Sequence, residues 1–137
     1  MAFKITFCDP FKKDIVDLGE SAGDDVVQRF EGTDWAGYLS RMSNASESDI
    51  FYSPSFGVEN MESRHGLSIS AVGEPGSYEF YIFYKRPKKV KKLFGLMEKL
   101  DDNYLSDRTG QTKEDAIECL RALLANNADL LAVKIGE

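Results

Sequence analysis

LSISAVGEPGSYEFYIFYK, residues 67–85, reads as two strands joined by a turn. Leu67, Ile69 and Ala71 alternate with Ser68, Ser70 and Val72, the period of a strand with one dry and one wet face. Gly73, Pro75 and Gly76 supply the turn chemistry: proline presets φ, and glycine reaches conformations closed to other residues. Past the turn, Phe80, Ile82 and Tyr84 fall on one face, Tyr81 and Phe83 on the other. A strand apolar on both faces asks for cover on both, which places it centrally in an antiparallel sheet.

Working backwards, residues 50–59 return to strand character, with Pro54 and Gly57 interrupting. Proline removes a ladder donor, so this strand is expected at an edge or with a bulge. Residues 60–66 turn the chain, and residues 50–59, 67–72 and 78–85 make a three-stranded meander. Phe3, Ile5 and Phe7 mark a first strand that Asp9 and Pro10 end. Residues 14–18 and 26–30 are two further strand candidates, separated by the turn GESAGDD, residues 19–25. Thr33 and Asp34 can cap a short helix in which Trp35, Tyr38, Leu39 and Met42 form one apolar stripe. Residues 40–49 read as a serine-rich surface loop.

Working forwards, the period changes after Pro87. Val90, Leu93, Phe94, Met97 and Leu100 recur at three and four residues, and Tyr104 extends the row. This predicts a helix packed on the sheet, with Pro87 in its first turn. Thr112 followed by Asp115 resembles a capping box, opening a second helix whose dry stripe is Ala116, Ile117, Leu120, Leu123 and Leu124. Asn126 and Asn127 stop it, and residues 130–135 read as a closing strand. The expected fold is α+β. It has a single sheet, antiparallel or mixed at one edge, with two longer C-terminal helices packed on one face and one short helix. Residues 1–137 are expected to form a single globular domain.

Hydrophobic residues make up 42% of the 137, enough for a real core. No apolar stretch approaches the ~20 residues needed to span a bilayer, and no basic leader precedes an apolar run. A cytoplasmic protein with no membrane contact is expected. Cys8 and Cys119 form no CxxC and read as reduced thiols. The net charge of -6 argues against general binding to nucleic acid, whose phosphates need Lys and Arg, and fits a basic protein partner. Nothing in the sequence fixes the oligomeric state.

His65 is the only histidine, so a hydrolase would have to use it, yet no nucleophile elbow accompanies it. One histidine and two distant cysteines supply no zinc spacing. GESAGDD lacks the alternating oxygen ligands of a calcium loop, and its acids would repel a phosphate. The reading is therefore of no catalytic residue, no cofactor and no metal.

Charge is unevenly spread. Lys85, Arg86, Lys88, Lys89, Lys91 and Lys92 crowd together, leaving 11 basic against 23 acidic residues elsewhere. Lysines in the first turns of a helix oppose its dipole, and a local conflict of that kind often answers a functional demand. Lys88, Lys89, Lys91 and Lys92 are thus candidate anion-binding residues. With Tyr78, Tyr81 and Tyr84 nearby, an exposed basic-aromatic face would suit a single strand of nucleic acid, although the overall charge opposes that. Glu59, Glu62, Asp101, Asp102 and Asp107 are the competing candidates, a negative surface that would steer a basic protein on and hold it.

Three segments carry a resemblance: YSPSFGVENMESRHGLSISAVG (52–73), YEFYIFYKRPK (78–88) and GQTKEDAIECLRALLANNADLLAVKI (110–135). Their pattern of strands, capped helix and last strand resembles small single-domain immunity proteins of bacterial toxin–immunity systems. The resemblance implies an acidic cytoplasmic binder that occludes a toxin's active site and has no catalytic residues. It transfers no individual residue. The expected function is a non-enzymatic protein-binding module, an immunity or inhibitor protein that neutralises a basic toxin by electrostatic and steric occlusion. The alternative is a binder of an anionic ligand or nucleic acid through residues 85–92.

Overall fold

The computed structural model describes residues 3–92, 95 and 97–137. Among these residues, six strands are β1 (Phe3–Cys8), β2 (Val16–Ser21), β3 (Ser55–Asn60), β4 (Gly66–Glu74), β5 (Ser77–Lys92) and β6 (Met97–Gln111). Four α-helices are α1 (Gly23–Glu31), α2 (Trp35–Ser43), α3 (Lys113–Leu124) and α4 (Ala128–Lys134), and a 3-10 turn spans Glu47–Asp49. The strands form one sheet in the order β2-β1-β3-β4-β5-β6, antiparallel at every pairing. The fold is α+β.

The stretch at 67–85 forms the hairpin its alternation predicts. Leu67 pairs with Tyr84 and Ala71 with Phe80, and Glu74 meets Ser77 across Pro75 and Gly76. Gly73 has φ +132, and a Cβ there would lie 2.8 Å from the Ser77 carbonyl oxygen, so only glycine fits. The meander continues through β3, which corrects the expectation of an edge or bulged strand: it lies inside the sheet between β1 and β4 with no register shift. Pro54 sits just before its first residue and leaves the ladder intact.

Inward side chains of the sheet meet the helices in one core. Phe30 packs its ring 5.4 Å from Phe80 and 5.5 Å from Trp35, and Trp35 lies edge-on to Phe80 at 5.4 Å. Val26 and Phe30 from α1, Leu39 from α2, Leu120 and Leu123 from α3, and Leu131 from α4 close over Ile5, Ile69 and Ile82. Burying each large side chain contributes ~1.5–3 kcal/mol.

Two capped helices match expectation. Asp34 Oδ1 accepts from Gly37 N at 3.1 Å ahead of α2. Thr112 Oγ1 accepts from Asp115 N while Asp115 Oδ2 accepts from Thr112 N, a complete capping box for α3.

Three further expectations are corrected by the helices. Residues 26–30 are helical because Val26 and Phe30, four apart, are the pair that reaches the core, and Asp24 and Asp25 suit the first turn. GESAGDD is no turn: its first half ends β2 and its second begins α1. Residues 130–135 belong mainly to α4, since Leu131 and Ile135 are buried while Val133 is 75% exposed. Asn127 Oδ1 caps that helix by accepting from Leu130 N at 3.1 Å.

The largest correction concerns the long helix after Pro87. That region is a two-stranded ladder in which Lys88 faces Asp101 and Lys91 faces Glu98. Opposite charges across a ladder support it. The register shifts between Arg86 and Lys88, beside Pro87, where a missing N–H is tolerated. Met97 and Leu100 of the supposed buried stripe are exposed; Leu93 and Phe94 lie outside the described residues. Of the two longer C-terminal helices expected, α3 is the one that forms. No described helix is long and apolar enough to cross a membrane.

Candidate functional site

Strand alternation sends Phe3, Ile5, Phe56, Val58, Leu67, Ile69, Phe80 and Ile82 into the core. The opposite face carries Lys4, Thr6, Gly57, Glu59, Ser68, Ser70, Tyr81, Phe83 and Lys85, all of them partly exposed. The helices roof the first face only. On the second, a groove of about 310 Å³ runs across the strands. Gly57 and Thr6 floor it: a Cβ at Gly57 would lie 2.3 Å from Thr6 Oγ1. Ile15, 58% exposed, and Leu105, 56% exposed, stand with Phe83 as its apolar walls.

Charge on this open face is arranged in a definite way. Lys4 lies 3.7 Å from Asp17, and Lys85 lies 3.5 Å from Glu59. Register places three more carboxylates on the same face: Glu20 opposite Lys4, Glu79 opposite Val72, and Asp107 opposite Phe83. Lys4 and Lys85 are thus each matched by an acid, and Glu20, Glu79 and Asp107 add negative charge around the groove.

The five acids named from sequence separate. Glu59 and Asp107 lie on the open face. Asp102 joins Glu59, Arg64 and Lys85 around a polar cleft of about 300 Å³ where the β5–β6 ladder leaves the body of the sheet. Asp101 sits further along that ladder, and its Oδ1 accepts from Asn103 N at 3.0 Å. Glu62 is elsewhere, in the β3–β4 connection, beside Ser63, His65 and Asn126 at a cleft of about 400 Å³.

The lysine run lies along β5. Lys89 and Lys91 are exposed, opposite Leu100 and Glu98, and Lys92 is opposite Met97. No helix dipole opposes these charges, so the conflict read from the sequence does not exist. Tyr81 and Tyr84 fall on opposite faces, and Tyr84 is buried, so the tyrosines do not form one stacking platform.

A second polar constellation lies on the roofed side of the sheet. His65 Nδ1 is 2.6 Å from the Tyr84 hydroxyl. The Arg86 guanidinium stacks 4.2 Å from the Tyr84 ring and 4.8 Å from the Tyr104 ring. Arg86 Nη1 donates to Ser106 Oγ at 2.8 Å and to the Tyr84 carbonyl at 3.2 Å; Nη2 donates to the Gly136 carbonyl at 3.3 Å. Burial, and then the Arg86 charge, lower the pKa of His65. Burial raises that of Tyr84 against the opposing pull of Arg86, keeping the phenol protonated.

Sequence reasoning missed Ile15 and Leu105 and did not single out Arg86 within the basic run at residues 85–92. Exposed Ile15 and Leu105 have no signature by themselves, and Arg86 read as one more member of the basic run. The available signal was the apolar outer pair Tyr81 and Phe83, whose face the structure leaves open. Among the described residues, no three His, Cys, Asp or Glu side chains group to hold a metal ion. No protein-family model, curated protein or solved structure matches the chain.

Proposed function

We propose that this chain is a non-enzymatic protein-binding module whose docking surface is the open face of the sheet. One observation carries the reading: a six-stranded sheet roofed on one side presents, on the other, a groove walled by Ile15, Phe83 and Leu105. Apolar anchors inside a polar rim are the anatomy of a protein interface. Lys4 and Lys85 are matched, and among the described residues Glu20, Glu79 and Asp107 make no ion pair, which favours a basic partner, since complementary charge steers encounter. An inhibitor of a basic toxin, as the resemblance to immunity proteins implies, has this character.

The test is capture of a partner from the native host by wild type, Leu105→Ser and Asp107→Lys proteins. A basic partner held by wild type, weakened by either substitution and released by salt, supports the reading. If that partner is a toxin, its activity should be blocked by wild type and spared by the variants. A partner retained equally by all three proteins, or one indifferent to salt, removes it.

A further inference from the structure

Arg86 is only 6% exposed, and among the described residues no carboxylate forms an ion pair with it. Its three hydrogen bonds go to neutral oxygens of Tyr84, Ser106 and Gly136. A buried cation without an anion is costly, and stacking on aromatic rings offsets only part of that. A guanidinium has five N–H donors, so three bonds leave the Nε hydrogen and one Nη2 hydrogen uncommitted. Lys88 adds a second cation close by: its Nζ lies 4.7 Å from the centre of the same Tyr104 ring that Arg86 stacks on. A cleft of about 230 Å³ opens over this group, lined by His65, Tyr84, Arg86 and Lys88 from the sheet side and by Asp129 and Glu137 from the other. Among the described residues, Asp129 and Glu137 make no ion pair with Arg86 or Lys88.

We propose that this cleft between β5 and α4 binds a phosphate-type dianion, free or as a monoester, held by Arg86 and Lys88. Arg86 and Lys88 both line the cleft, and the free donors of a guanidinium suit phosphate oxygens; Asp129 and Glu137 on the opposite wall oppose an anion and weaken the hold on it. The His65 ring borders the cleft and reports on its occupancy. The site is on the roofed side of the sheet, away from the open face, so it stands independently of the protein-binding reading. Of the four lysines proposed from sequence for anion binding, it uses Lys88 alone; Lys89 and Lys91 project from the other side of β5.

The test is a titration with inorganic phosphate, glycerol phosphate and acetate, read by the His65 ring signals and by the melting temperature. Wild type should show saturable shifts and a rise in melting temperature with either phosphate, and neither with acetate. Tighter binding of the monoester than of phosphate assigns the natural ligand to that source, and the reverse assigns it to the free ion. Lys88→Gln, which removes an accessible charge and leaves the core intact, should weaken binding by about tenfold. Arg86→Gln should abolish it; if that variant fails to fold, Lys88→Gln alone decides. No saturable shift at millimolar phosphate, equal binding of acetate, or unchanged affinity in Lys88→Gln overturns the proposal.

Discussion

The Tyr84 hydroxyl lies 2.6 Å from Nδ1 of His65, joining the residue that leads into β4 to the strand paired beside it. Burial disfavours the charged imidazole of His65, and the nearby Arg86 charge adds to that, which is why its pKa is lowered. The unfolded chain titrates at the ordinary histidine value of about 6.5 and takes up its proton first as pH falls. This contribution is therefore complete above that value and is lost as pH drops through the lower folded value. Wild type should lose stability more steeply than His65→Gln between neutral pH and pH ~5, the range that follows from that reference. Denaturant melts of both proteins across it check this, and parallel slopes would refute it.

Gly73 holds the β4–β5 turn at φ +132, with the Ser77 carbonyl where a Cβ would go. Gly73→Ala should cost about 1–3 kcal/mol, the usual range for a residue forced into a sparsely populated conformation. Gly76, whose Cβ would meet nothing within 4 Å, is the internal control and should tolerate alanine far better. Equilibrium unfolding of the two variants separates them.

The capping box of α3 predicts a loss of about 1 kcal/mol for Thr112→Ala. Thr112→Ser should restore most of it, because the bond to Asp115 N needs only a hydroxyl oxygen. Urea midpoints of wild type and both variants measure the difference.

Two apolar residues on opposite sides of the sheet should behave oppositely. Phe80, 2% exposed against Phe30 and Trp35, should lose about 3–5 kcal/mol on change to alanine. Leu105→Ser, at a wall of the groove, should change stability by no more than about 0.5 kcal/mol. A large loss in Leu105→Ser would mean that this side chain supports the fold and would leave the open face with one fewer anchor.

Cys8 lies on the open face of β1 and Cys119 within α3 on the roofed side, so the sheet separates them. Burial pushes the Cys119 thiol up to about 11, and raises that of Cys8 as well. Both should alkylate slowly in the native protein at mildly alkaline pH and quickly in denaturant, because the thiolate is the reacting form. Fast native labelling of Cys119 counts against its buried position.

Legibility followed how local each signal was. The hairpin at 67–85 and the Thr112–Asp115 box are complete within a few residues, and both stand as read. Short apolar runs at 26–30 and 130–135 fit either period, and the choice went to whichever spacing met the core: Val26 with Phe30, Leu131 with Ile135. The row from Val90 to Tyr104 fits a helix by spacing, but pairing of Lys88 with Asp101 and of Lys91 with Glu98 makes it a ladder. The candidate sites were read still less completely, because Glu59, Asp107, Ile15 and Leu105 are far apart in sequence and meet only across strands.

Composition and alternation sufficed for an α+β chain with an aromatic strand paired on both edges and an acidic balance; the cover expected on both faces of that strand formed on one only. Tertiary contact decided which face of that strand was roofed, which lysines met acids, and that Arg86 of the basic run became buried. The reason is physical: local period sets which side chains share a face, but only the partner across a strand or above a sheet sets whether that face, or that charge, leaves water.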